Sequence, residues 1–266
     1  MIKINCEDIT IRPSSIDTFY NCAYKWGKAH LEGVNTIPNS RAALGTGIHA
    51  GVEHMWNEAI ESGKKAPNLS SMVDAAMSSW KEETHDGVSY DEGEDEKTIA
   101  TEIIRGTEAF IEDVVEFTPI PTAVETRLSL DIDHVFVKRL SGTVDYIAPN
   151  TIADVKTSKR KPMVKNYMTQ QSIYKFLAEA NGYTADTMLI QGVVLRKTGA
   201  EGMVLTQPTD VQQAKGLVNS MLDTLTLVNK DIAPIETILR GNPKYYLCSD
   251  KYCSEYNTCP FVKGTI

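Results

Sequence analysis

Two aspartates and a lysine, Asp145, Asp154 and Lys156, stand within one short region of alternating apolar and polar residues. Residues 143–147 and 151–155 read as two strands of period two, with Pro149 and Asn150 supplying the turn between them. Pairing these strands brings both carboxylates to one end of a hairpin. Lys156 follows Asp154 by two positions, so the two side chains share a face. Two carboxylates and an ammonium so placed suit a hard divalent cation, magnesium or manganese, beside a positive charge available to a reacting phosphate. Taken alone, Asp154-Val155-Lys156 is a common tripeptide and reads first as an incidental pair on a solvated hairpin. The rest of the chain changes that balance.

The elements that must position this hairpin flank it on both sides. A first helix is expected to open at Ser14 and stop near Gly33, with Ile16, Phe19, Tyr20, Ala23 and Trp26 as its apolar stripe and Cys22 inside it. A second is expected over 44–60, with Ile48, Val52, Met55, Trp56 and Ala59 inward. Gly45, Gly47 and Gly51 in that helix point to close approach of another backbone or a ligand. His49 lies on the flank of its stripe, where a hydrogen-bonded core histidine is the commoner reading; Glu53 and His54 are expected at the surface. Residues 61–117 read as a helical insertion. Its acidic stretch, 81–97, is expected to be an inert solvated loop, with shielding of the site as the alternative. Strands follow over 123–130 and 134–139, Glu125 being taken as an ordinary exposed or paired carboxylate. After the hairpin come a helix over 166–181 closed by Gly182, a strand over 187–196 and an amphipathic helix over 208–231. Gln170 and Tyr174, four apart, stack on one face of the first of these helices.

A chain of 266 residues with net charge −8 can bury a substantial core, and is expected to form a single domain, 1–266. The negative charge is local: 81–97 holds eight acidic and two basic residues, whereas 156–165 holds five basic residues and no acid. Lys159, Arg160 and Lys161 in that run are candidate phosphate contacts, although a solvated basic loop is an equal reading of the run alone. No run of eighteen apolar residues and no apolar leader occurs, so no membrane association and a cytoplasmic location are expected.

Cys248, Cys253 and Cys259 form a C-x₄-C-x₅-C array amid polar residues unsuited to a packed core. Three clustered thiols with Cys22 as a remote fourth suit a zinc ion or an iron–sulfur cluster; Cys6 is the spare. Such a site, formed by Cys22 and the segment 241–266, would pin the two ends of the chain together.

Taken in order, these features resemble the RecB-type nucleases of the PD-(D/E)XK superfamily. They are the helix cysteine, Gly45-x-x-x-His49, Gly142-x-x-Asp145, Asp154-x-Lys156, Gln170-x-x-x-Tyr174 and the three late cysteines. The likeness is to the iron–sulfur branch, which includes CRISPR adaptation nucleases, AddB-type subunits and phage exonucleases; the x₄ gap after Cys248 departs from the usual x₂. The resemblance implies an α/β fold, a mixed central sheet flanked by helices, with a helical insertion and termini pinned by the cluster. It implies a metal-dependent DNA nuclease, an exonuclease of DNA ends or single strands in recombination, repair or phage DNA processing, in a bacterial, archaeal or infected cell. By that likeness His49, Asp145, Asp154 and the Val155 carbonyl would hold the metal, and Lys156 would serve the attacking water and scissile phosphate. Gln170 and Tyr174 would touch DNA, and Cys22, Cys248, Cys253 and Cys259 would bind a 4Fe-4S cluster, with zinc the lesser candidate. A recombination or helicase protein is the implied partner. The competing reading is a non-catalytic DNA-end-binding or helicase-accessory module, against which the intact His, Asp, Asp and Lys set argues.

Overall fold

The computed structural model describes residues 9–32, 38–161, 167–229 and 233–264. Cys6, Gly33, Lys165 and the expected helix limits at 166 and 231 lie outside the described residues. In chain order the elements are β1 (Ile9–Ile11), α1 (Pro13–Asn21), α2 (Ala23–His30), α3 (Ser40–Ser62), α4 (Leu69–Glu83) and α5 (Glu96–Phe110), which runs into a π-helical turn at Ile111–Val115. Then follow β2 (Ala123–Asp131), β3 (Val137–Ala148), β4 (Thr151–Ser158), α6 (Met168–Ala180), β5 (Thr187–Arg196), β6 (Gly199–Thr206), α7 (Val211–Asn229) and the short α8 (Ile235–Ile238) and α9 (Pro260–Lys263).

The six strands make one mixed sheet in the order β1-β3-β4-β5-β6, with β2 on the other edge of β3. Strands β4 and β5 are parallel, joined through α6, whereas β2–β3, β3–β4 and β5–β6 are antiparallel. The buried β-branched run of β5 reflects cover on both faces. One face packs against α1, α2, α6 and α7 around Ile16, Trp26, Val144, Ile173 and Met221. The other packs against α3, α4 and α5 around Ile48, Trp56, Met72, Phe110 and Val155.

The glycines of α3 do what their spacing suggested. A Cβ on Gly47 would lie 2.8 Å from the Ala76 carbonyl oxygen, and one on Gly51 would lie 2.7 Å from that of Met72. Only bare backbone lets α3 and α4 pack this closely.

Several expectations are corrected. The first helix is two helices, broken at Cys22, whose φ of −160° and ψ of 88° are not helical. Tertiary contacts outweigh the continuous apolar stripe: α2 is tied to the C-terminal segment by the Tyr24 N–H donating to Arg240 O and the Lys25 ammonium donating to Tyr252 O. Helix α1 starts at Pro13, with Arg12 at the N-cap position making no side-chain cap bond, and not at Ser14. Tyr20 lies outside the core, its hydroxyl donating to Leu217 O. No separate strand runs over 134–139, because Val137 continues without a break to Ala148. The short β1 and the hairpin strand β6 were not anticipated.

The acidic stretch is not an inert solvated loop. Glu94 is nearly buried, accepts a hydrogen bond from Ser40 Oγ at 2.9 Å and pairs with Arg41, while Asp95 caps α5 through the Thr98 N–H. Helices α4 and α5 themselves supply Met72, Ala76, Trp80, Ile99 and Ile103 to the second core.

Candidate active site

The site begins where two strands part. β3 and β4 pair only through Tyr146–Ala153, Ile147–Ile152 and Ala148–Thr151. Beyond that the ladder stops, because the same edge of β3 pairs with β1 from Val137 to Leu140. Asp145 and Asp154 are the first residues past the last pair. The Asp145 carboxylate takes up a backbone group that the ladder releases, its Oδ2 accepting the Val155 N–H at 2.6 Å. Asp154 is buried, with the Lys156 ammonium 2.6 Å from its Oδ2 and the Gln170 amide of α6 donating to its Oδ1 at 3.3 Å.

Gln170 and Tyr174, expected at the DNA, are both buried behind the aspartates. The Tyr174 ring packs so close to Gly142 that a Cβ there would lie 2.8 Å from its Cε1. Pro13 fills the other side at 2.9 Å, which accounts for a glycine three residues before Asp145.

Helix α3 brings His49 across this end of the sheet, its Nδ1 lying 3.6 Å from Asp145 Oδ2. The neighbouring strand contributes a group that the sequence reading passed over. Glu125 stands opposite Asp145 in the β2–β3 register, between the pairs Val124–Tyr146 and Thr126–Val144. Residues directly opposite on paired strands share a face, so the two carboxylates face the same side. Its backbone is left-handed, with φ of 43°, a conformation that costs a non-glycine residue about 1–3 kcal/mol. Among the described residues, His49, Glu125 and Asp145 bring their ligand atoms within 4.8 Å of one another. Glu53, expected on the surface, lies one turn beyond His49 and lines the same cleft, of about 470 Å³, with Lys156 and Thr157. Neither glutamate sits in a motif; only the strand register and the helix face reveal them.

The electrostatics follow from this crowding. Burial pushes Asp145 and Asp154 each up to about 6, against the pull of Lys156. Glu125 is pushed up to about 7 by burial and by the charges of Asp145, Glu53 and Asp154. Burial and the Lys156 charge lower His49 to about 4, which keeps it neutral and able to donate a lone pair. Burial works against the charge of Lys156, but Asp154 and Asp145 outweigh it and hold its pKa above the usual value. The cleft holds more negative charge than one ammonium neutralises. Oxygen donors with one imidazole, short of positive charge, fit a hard divalent cation.

The other predicted residues fall into two groups. Cys22, Cys248, Cys253 and Cys259 line one small cavity, so the fold does bring the four together. Of the basic run, Lys159 contacts Glu94 at 3.2 Å and Asp91 at 3.5 Å, and Lys161 pairs with Glu201. Arg160 is exposed. No helix among the described residues is long and apolar enough to cross a membrane.

Known proteins share this fold. The crystal structure of a "putative exonuclease" from Eubacterium rectale superposes with a TM-score of 0.60 at 14% identity, over 86% of this chain and 84% of that one, a likeness of fold. A second solved structure, SSO0001, aligns over 52% of this chain and 59% of its own at 20% identity, with a TM-score of 0.33, too low to support any argument. No curated protein matches. The profile described as PD-(D/E)XK nuclease superfamily matches residues 10–261, spanning the sheet, the acidic cleft and the cysteine segment, and the chain belongs to that superfamily.

Proposed function

We propose that this protein is a divalent-metal-dependent deoxyribonuclease, an exonuclease acting on DNA ends or single strands. The observation that carries this reading is the meeting of His49, Glu125 and Asp145 at the parted end of β3 and β4, beside the Asp154–Lys156 pair. Magnesium or manganese held there by His49, Asp145, Asp154 and Glu125, with the Val155 carbonyl, would supply Lewis acidity and a nucleophilic water at neutral pH. Lys156 places a fixed positive charge where negative charge develops on the phosphoryl oxygens. Gln170 holds Asp154, and Tyr174 holds the turn of chain that carries Asp145, so both are positioning groups for the carboxylates. Lys159, Arg160 and Lys161 carry the DNA backbone away from the cleft.

The four-cysteine cavity supports the iron–sulfur branch. A zinc ion with Zn–S of about 2.3 Å would draw its sulfurs to roughly 3.8 Å from one another. Four thiolates lining one cavity could hold either that ion or a larger 4Fe-4S core, and the family likeness favours the cluster. Its role would be to hold Cys22 to the C-terminal segment, as folding energy for both.

The deciding experiment is incubation of anaerobically purified protein with end-labelled single- and double-stranded DNA in magnesium, manganese or chelator. Metal-dependent release of short products from DNA ends is expected. Absence of cleavage with either metal would sink the nuclease reading.

A further inference from the structure

The cleft does not end at Lys156. Thr157 lines both the acidic cleft and a second hollow of about 190 Å³. One side of that hollow is the chain leaving β4, at Ser158 and Lys159. The other carries Tyr252, from the loop between Cys248 and Cys253, and Leu44 and Leu195 add apolar surface. Lys159 follows Lys156 by three residues of nearly extended chain, so the hollow extends to roughly 10 Å from it.

Two lysines remote in sequence meet over this hollow. Lys159 Nζ lies 3.5 Å and Lys251 Nζ 3.2 Å from the Asp91 carboxylate. Both ammonium-bearing side chains are about half exposed, at 55% and 47%. Tyr252 beside them is 48% exposed, and the Lys251 ammonium lies 5.1 Å from its ring centroid. Three segments of chain thus converge to place two cations and a half-exposed tyrosine next to the acidic cleft.

The acidic partner is held loosely. Strong charge-assisted hydrogen bonds run at about 2.7–2.9 Å, and the Asp91 contacts are longer. Glu94, three residues on, is what anchors the loop, through Arg41 and Ser40. A phosphate drawing both lysines to itself would displace Asp91 from each and Glu94, at 3.2 Å, from Lys159. A phosphodiester presents a full charge and several acceptor oxygens to the same two lysines.

We propose that this hollow is a subsite for one unpaired nucleotide of the substrate strand: Lys159 and Lys251 bind its phosphate, Tyr252 stacks its base, and Asp91 occupies the phosphate position in the free protein. The proposal rests on the nuclease reading and adds a preference to it. A base inside a duplex has both faces covered, so stacking on Tyr252 selects a strand that is single at this point. It also makes the cysteine segment one wall of the substrate path.

The test is fluorescence anisotropy with a labelled single-stranded oligonucleotide and the matching duplex, in calcium, across a range of salt. Tyr252→Ala should weaken single-strand binding about 5- to 150-fold, the range expected for one lost stacking partner, and change duplex binding less than twofold. Lys251→Ala should flatten the salt dependence by about 0.7 in logarithmic slope, one phosphate contact fewer. Asp91→Asn, on the opposite wall and outside the cysteine segment, should tighten single-strand binding several-fold at low salt. It guards against the case in which a substitution near the cysteines merely unfolds that segment. Asp91→Asn binding no tighter than wild type, or Tyr252→Ala losing single strand and duplex alike, would overturn the subsite. Cleavage by wild type tested alongside separates the two ideas. A protein that cuts DNA but shows no such changes loses the subsite alone, whereas one that cuts nothing loses the nuclease reading.

Discussion

Replacing Lys156 by methionine removes an ammonium 2.6 Å from Asp154 Oδ2 and keeps most of the apolar stem. At an effective dielectric of about 20, two unit charges at that separation attract by about 6 kcal/mol, most of it spent on taking both groups out of water. Stranding the buried carboxylate would ordinarily cost about 3–5 kcal/mol. Asp154 has an escape: its pKa, already pushed up to about 6 by burial, rises further, and it takes a proton at neutral pH. The folding cost at pH 7 therefore falls below that range. A bound divalent cation would replace the missing positive charge, so manganese affinity at pH 8.5 should be held or tightened. The transition state has no such replacement. Loss of a preorganised charge of this kind costs about 10²–10³ in kcat, or about 2.7–4 kcal/mol. Calorimetric titration with manganese and single-turnover cleavage of end-labelled DNA measure the two quantities separately. Turnover within tenfold of wild type, or manganese affinity at pH 8.5 reduced more than tenfold, would refute the assignment of Lys156 to the reacting phosphate.

Metal affinity should fall as pH drops through 7 to 6, because Glu125 near 7 and Asp145 and Asp154 near 6 must release protons before binding; a manganese titration from pH 5.5 to 8 reads this directly. The linkage sign without metal is opposite. These folded-state pKa values lie above the unfolded ones, so the three carboxyls stabilise the metal-free protein at low pH, and that contribution is lost as pH rises from about 4.5 to 7. Gly51→Ala should destabilise by up to about 2 kcal/mol, since a Cβ meeting the Met72 carbonyl at 2.7 Å costs about 1–3 kcal/mol against a helix-propensity gain of about 1 kcal/mol. Gly216→Ala in α7, with nothing within 4 Å, should instead raise the melting temperature. Cys22→Ser should bleach brown, anaerobically purified protein and expose both ends to protease, whereas Cys6→Ser should leave iron content unchanged; one zinc in colourless wild type would replace the cluster in this scheme.

Local pattern was enough to bring Asp145, Asp154 and Lys156 together, because a hairpin of period two fixes which side chains share an end and a face. It was enough for α3 and its glycines, where the 3.6-residue period and the absence of a Cβ carry the message alone. It was enough to group Cys22 with the three late cysteines, since polar surroundings argue against buried free thiols in that trio and a tetrahedral site needs a fourth. What it could not supply depends on register and on segments far apart in sequence. Glu125 joins the site because residue 125 falls opposite residue 145 on paired strands, a fact absent from either strand by itself. The break at Cys22 is invisible in a continuous apolar stripe, because contacts of α2 with Arg240 and Tyr252 set the direction of that helix. Gln170 and Tyr174 turned inward, toward Asp154 and Gly142, because α6 crosses between two parallel strands and presents that face to the sheet. The acidic loop reads as solvent-seeking by composition, and became structure only where Arg41, Lys159 and Lys251, drawn from three distant segments, gave its carboxylates partners that water would otherwise have supplied.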